Sequence, residues 1–89
     1  MARYFFDFYD GKMHRDAIGH ECKGHDDVRL EAMHALPAIA RDKVPEDGNE
    51  QAYTVLVRSE RNLTVYTATL TFAGIWLGED EPPTEEQDD

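Results

Sequence analysis

At 89 residues, with 40% hydrophobic and 31% charged side chains, the chain has room for one core and no second, and so thin a core leaves little depth for a carved enzyme pocket. No apolar run approaches the roughly 20 residues of a membrane helix, and a formal net charge of -10 argues against direct binding of nucleic acid. The single Cys22 cannot close a disulfide within the chain, and Asp7 interrupts any apolar leader, so a soluble protein of the reducing cytoplasm is expected.

Residues 3–9, Arg-Tyr-Phe-Phe-Asp-Phe-Tyr, are dense in aromatics and end at Asp10-Gly11, a dipeptide suited to the positive φ angles of a tight turn. They predict a strand with Tyr4, Phe6 and Phe8 on the core face, and Arg3, Phe5, Asp7 and Tyr9 on the other. The polar stretch from Lys12, punctuated by Gly19, is read as irregular until a short second strand around His20 to Lys23.

Gly24-His25-Asp26-Asp27 opens a helix, its carboxylates able to cap free amides and to complement the positive end of the helix dipole. Val28, Ala32, Ala35, Leu36, Ile39, Ala40 and Lys43/Val44 recur at three- and four-residue intervals and define one amphipathic helix. Pro37 lies inside this pattern and predicts a kink or local break near Met33 to Leu36. Pro45 with Asp47-Gly48 is the expected stop.

Residues 52–58 and 63–72 are rich in β-branched and aromatic residues and predict two further strands joined through Ser59 to Asn62, where Asn62 tolerates a left-handed conformation. Tyr53, Val55 and Val57 share one face of the first. Tyr66, Ala68, Leu70 and Phe72 form the matching face of the second, with Val65, Thr67, Thr69 and Thr71 turned away. Ile75-Trp76-Leu77 closes the folded region with three large apolar residues that need cover. Seven of the 19 acids fall in residues 79–89, which hold no base, leaving twelve acids against nine bases in the body. This segment is expected to be a disordered acidic tail.

The fold class is therefore α+β: ββαββ, a four-stranded antiparallel sheet with one helix packed on one face, spanning residues 1–78 as a single domain. One helix covers one side of such a sheet. The other face, with Phe5, Tyr9, Leu56 and Val65, is expected to be an apolar contact surface.

His14, His20, Cys22 and His25 lie close in sequence and carry the ligand atoms zinc favours. Their spacing lacks the closely paired ligands of common zinc motifs, and surface histidines around a half-buried Cys22 are the preferred reading. Asp16, His20 and Glu21 could serve acid–base chemistry, but no activated nucleophile, oxyanion loop or phosphate-binding glycine pattern accompanies them. The acidic tail fits either a solubilising role or the engagement of a basic partner. Asn62-Leu63-Thr64 has the form of a glycosylation acceptor, which is without consequence in the cytoplasm.

The order and spacing of Arg3-Tyr4-Phe5-Phe6, Asp10-Gly11, Asp16-x-x-Gly19-x-Glu21, Glu31-Ala32, Ala35-Leu36-Pro37-x-Ile39-Ala40-Arg41-Asp42 and Pro45-x-Asp47-Gly48 resemble a family of small bacterial proteins. That family is known as a domain of unknown function, frequent in rhizobia and related soil bacteria. The resemblance spans roughly residues 3 to 77 and implies a small α+β domain of the bacterial cytoplasm, with no activity, cofactor or site residue to carry over. Cys22 and the acidic tail depart from its pattern. A looser likeness is to sheet-plus-helix antitoxin domains that bind a partner protein.

The sequence thus points to a non-enzymatic protein–protein interaction or regulatory module that forms a homodimer through the open sheet face or Ile75-Trp76-Leu77. No catalytic, cofactor-binding or metal residue is assigned. The alternatives are a zinc-binding domain using His14, His20, Cys22 and His25, and an antitoxin-like or nucleic-acid-mimicking acidic protein.

Overall fold

The computed structural model describes residues 1–78, so the acidic tail at 79–89, expected to be disordered, lies outside the described residues. The aromatic run forms strand β1 (Ala2–Tyr9), and the chain turns through Gly11 at φ 106°, as the Asp10-Gly11 dipeptide predicts. Beyond the turn the chain returns along β1 as one edge strand in two pieces. β2 (Met13–His14) pairs antiparallel with Phe8 and Tyr9, and β3 (His20–Cys22) pairs antiparallel with Ala2, Arg3 and Tyr4.

Between those pieces the segment 15–19 leaves β1 without a strand neighbour, and a side chain takes the neighbour's place. The Phe6 amide donates to Oδ2 of Asp16 at 3.0 Å, while Oδ1 of Asp16 accepts from the amides of Ile18 and Gly19, both at 3.0 Å. One carboxylate thereby satisfies three backbone donors that the interrupted ladder would leave open.

The helix α1 (His25–Asp47) begins after Gly24 with no side chain capping from that position. Asp27 supplies a related bond, its Oδ2 accepting from the Lys23 amide at 2.8 Å, in the manner of the carboxylate that reaches back in a capping box. Val28, Ala32, Leu36 and Ala40 form the buried row at four-residue steps, and Ile39 and Val44 pack beside them as half-buried residues.

The helix carries no break from Met33 to Leu36, where Pro37 led to the expectation of a kink or local break, and it ends at Asp47, before Gly48 at φ 100°, at the stop expected from Pro45 with Asp47-Gly48. Both prolines lie on the exposed side, so the carbonyls whose partners they remove face water, and the lost bonds carry no burial penalty.

β4 (Glu50–Arg58) and β5 (Thr64–Ala73) complete the fold. Their connection places Asn62 at φ 66°, with the Ser59 amide donating to the Leu63 carbonyl at 2.8 Å. β4 pairs antiparallel with β1 on one side and with β5 on the other. The sheet order is β2-β1-β4-β5, with β3 also against β1. The α+β architecture with one helix on an antiparallel sheet stands; the stretch from Lys12, expected to be irregular, adds a further short strand, β2, ahead of the one expected around His20 to Lys23.

Tyr53, Val55 and Val57 on the central β4 are buried almost completely beneath α1, and each such side chain contributes on the order of 1.5–3 kcal/mol by leaving water. Tyr4, Phe6 and Phe8 pack against this core from β1, and Tyr66 and Ala68 from β5, with the Phe8 and Tyr53 rings stacked at 6.1 Å. No helix among the described residues is long and apolar enough to cross a membrane.

Candidate functional site

The face of the sheet away from α1 holds a charge cluster at its centre. Asp7 is only 3% exposed, and the Arg58 guanidinium grips it with Nε to Oδ2 at 2.6 Å and Nη2 to Oδ1 at 3.0 Å. Nη2 also donates to the Asp16 carbonyl at 3.0 Å and Nη1 to Oδ1 of Asn62 at 3.0 Å, and the guanidinium lies 5.0 Å from the centre of the Phe5 ring. The Asp16 amide closes the cluster by donating to Oδ1 of Asp7 at 2.9 Å.

Burial pushes both Asp7 and Asp16 upward. For Asp7 this is outweighed by the Arg58 bonds and the Asp16 amide, and for Asp16 by the amides of Gly19, Phe6 and Ile18, so both carboxyls fall below their ordinary values. Their oxygens are already committed to donors that fix the loop, which gives the cluster a structural role: it seals the open face where β1 lacks a partner.

This cluster changes the surface expected there. Phe5 and Leu56 are half-buried, Tyr9 is exposed at the far end of β1, and the ion pair stands among them, so the four residues make no continuous apolar patch. Val65 departs from the expected face. The β4–β5 register shifts between Val57 and Arg58, leaving Val65 as an extra residue that borders a cavity with Tyr66 and the helix residues Val28 and Arg29.

The proposed zinc ligands are spread out. His14 stands opposite Phe8 and His20 opposite Tyr4, four residues apart along β1 and therefore roughly 13 Å. Cys22 is buried in the core, where burial and the nearby Asp27, Glu31 and Glu21 carboxylates push its thiol up and hold it protonated. His20 instead faces Glu31 at 3.6 Å. Among the described residues no group of three or more His, Cys, Asp or Glu could hold a metal ion.

Asp16, His20 and Glu21 are likewise not gathered. Asp16 belongs to the open-face cluster, His20 packs edge-on to Phe6 with ring centres 6.3 Å apart, and Glu21, its strand neighbour on the opposite face, pairs with Arg3 at 3.0 Å.

Among the described residues, the exposed apolar surface lies along β5 and just beyond it. β5 is the last strand of the sheet, ten residues long, and Thr64 to Ala73 contains neither a charge nor a proline. Leu70 and Phe72, on its helix side, are 39% and 43% exposed because α1 does not extend over them, and beyond the strand Ile75, Trp76 and Leu77 are 75%, 60% and 65% exposed. At the opposite end of β5, Val65, Tyr66, His25, Asp26, Val28 and Arg29 line a cavity of about 200 Å³.

Among the described residues, fold and surface together define a one-helix α+β domain with a buried charge cluster on one sheet face and a neutral sheet edge with no strand beside it. The chain belongs to the family described as Domain of unknown function (DUF6894), which matches residues 3–71. No curated protein and no solved structure matches the chain.

Proposed function

We propose that this domain is a small cytoplasmic protein–protein interaction module that forms a homodimer through the outer edge of β5. The observation that carries the reading is the length and neutrality of that edge. Sheet proteins blunt their exposed edges with charges, prolines, bulges or short strands, and from Tyr66 to Ala73 β5 has none of these. Strand addition would satisfy its unpaired backbone groups and cover Leu70 and Phe72 in one step.

The opposite edge explains why such pairing would stop at two copies. It consists of β2 and β3, two and three residues long, divided by the loop that Asp16 holds in place. An edge so broken is a poor template for a further strand.

Sedimentation velocity at tens of micromolar tests the reading. A dimer is expected for the unaltered chain and a monomer for Leu70→Lys, which sets a charge on an already exposed edge position. A strict monomer for the unaltered chain would remove the proposal.

A further inference from the structure

Resting on the dimer reading, we infer the side on which the two copies match: both helices lie on one face of the joined sheet, and the acidic segments 79–89 leave it at opposite ends.

Symmetry allows two ways of joining identical edges. A dimer in which each copy presents the same edge is isologous, with a two-fold axis between the paired strands. An axis along the strands makes them parallel and turns one sheet over, so the helices fall on opposite faces. An axis perpendicular to the sheet makes the strands antiparallel and keeps both helices on the same face.

The side chains of β5 separate these choices without fixing a register. Tyr66, Ala68 and Leu70 stand opposite Val57, Val55 and Tyr53, the residues buried beneath α1. Phe72 therefore shares the helix side with them, and Thr67, Thr69 and Thr71 point to the other. With one sheet turned over, Leu70 and Phe72 of each copy would lie beside the threonine side of its partner, and the apolar surface would be split between two faces. With both helices on one face, Leu70 and Phe72 of the two copies, 39% and 43% exposed in the single chain, line one shared groove and can leave water together.

Charge favours the same arrangement independently. The chain continues from β5 through Gly78 into residues 79–89, which hold seven acids and no base. Parallel strands lie about 4.8 Å apart and end together, so two such segments would leave the sheet side by side, inside the Debye length of about 8 Å at physiological salt. Antiparallel strands end at opposite ends of the sheet. With β5 fully overlapped, the two Ala73 positions stand roughly 30 Å apart, well outside that screening length.

The test uses the full chain carrying a nitroxide label at Thr67→Cys or at Ala73→Cys. Both positions are exposed, and both point away from α1, so the label stands off the sheet and leaves the backbone edge free. Cys22 is buried and stays unlabelled under native conditions. Dipolar broadening and pulsed dipolar spectroscopy then give the distance between the labels of the two copies.

Parallel strands about a two-fold axis set every residue against its own counterpart, so both labels would give distances of about 10 Å or less. In antiparallel strands the separation of counterparts is twice the distance from the axis, and positions 67 and 73 lie about 20 Å apart along the strand. The two distances are therefore expected to add to about 40 Å if the axis falls between the positions, or to differ by about 40 Å if it falls outside them. Two short distances overturn the shared helix face and leave dimerisation through β5 standing. A dimer whose two distances are not both short and neither add to nor differ by about 40 Å, or a chain monomeric in sedimentation at all concentrations, overturns both.

Discussion

Arg58 at the end of β4 holds Asp7 in the middle of β1 through two hydrogen bonds of 2.6 and 3.0 Å, with both side chains largely withdrawn from water. Removing one partner leaves the other buried and unpaired, a change that costs about 3–5 kcal/mol in comparable sites. Arg58→Ala is therefore expected to lower the urea midpoint sharply, with the double variant Asp7→Leu with Arg58→Met recovering most of the loss. A double variant no more stable than Arg58→Ala would refute the account.

The same cluster sets the response to acid. Asp7 and Asp16 have folded-state values below their ordinary ones, so they bind protons less readily in the fold than in the unfolded chain. Their contribution is present above the ordinary carboxylate value near 4 and is lost as pH falls through the depressed folded values. Urea titrations at stepped pH should show stability falling below about pH 4, with a shallower fall for Asp16→Asn from a lower starting stability.

Tyr53 governs the alkaline side. Its hydroxyl donates to Oδ2 of Asp47 at 2.7 Å, and burial, with the Asp47 carboxylate beside it, pushes its pKa up to about 12. A raised value means that stability is present below the ordinary tyrosine value near 10 and is lost as pH rises through the folded value. NMR titration of the Tyr53 ring should show its midpoint near 12, and Tyr53→Phe should remove this alkaline loss.

Gly19 separates two costs that are usually combined. It adopts φ 81°, and an added Cβ would stand 2.7 Å from Cγ of Arg3 and 2.9 Å from Cε2 of Phe5, whereas Gly11 at φ 106° has open space around it. Gly11→Ala is expected to cost about 1 kcal/mol, from backbone strain alone. Gly19→Ala should cost about 1–3 kcal/mol more because the packed loop must shift; thermal unfolding of equal loss in both would contradict this.

Cys22 is buried and its thiol is held protonated by burial and by the carboxylates around it. A thiol reagent should label it slowly in the native protein and fast in urea, with the native rate tracking global stability across the variants above. Rapid labelling of the folded chain would show that β3 opens on its own.

Much of the fold is legible along the chain. The alternation in Tyr4, Phe6 and Phe8 and in Tyr53, Val55 and Val57 places those residues beneath α1, as the observed burial has it, because side-chain direction in a strand repeats every two residues. Val28, Ala32, Leu36 and Ala40 are readable as the helix row for the same kind of reason. Pro37 is not so legible, since its cost depends on whether the freed carbonyl meets water, which is a matter of which face packs.

At Asp7 the reach of local periodicity ends and that of the assembled fold begins. A carboxylate in the middle of an aromatic strand is visible in the sequence, as is its place on the face away from the helix. That it is buried, and that Arg58 and the Asp16 loop bury it, depends on β4 lying beside β1 and on the gap between β2 and β3. Local periodicity sets the face on which a side chain points; the strand order decides what lies against that face. The same division holds for β5, whose neutral, β-branched run is written in its residues, while its position at the edge of the sheet is a property of the assembled fold.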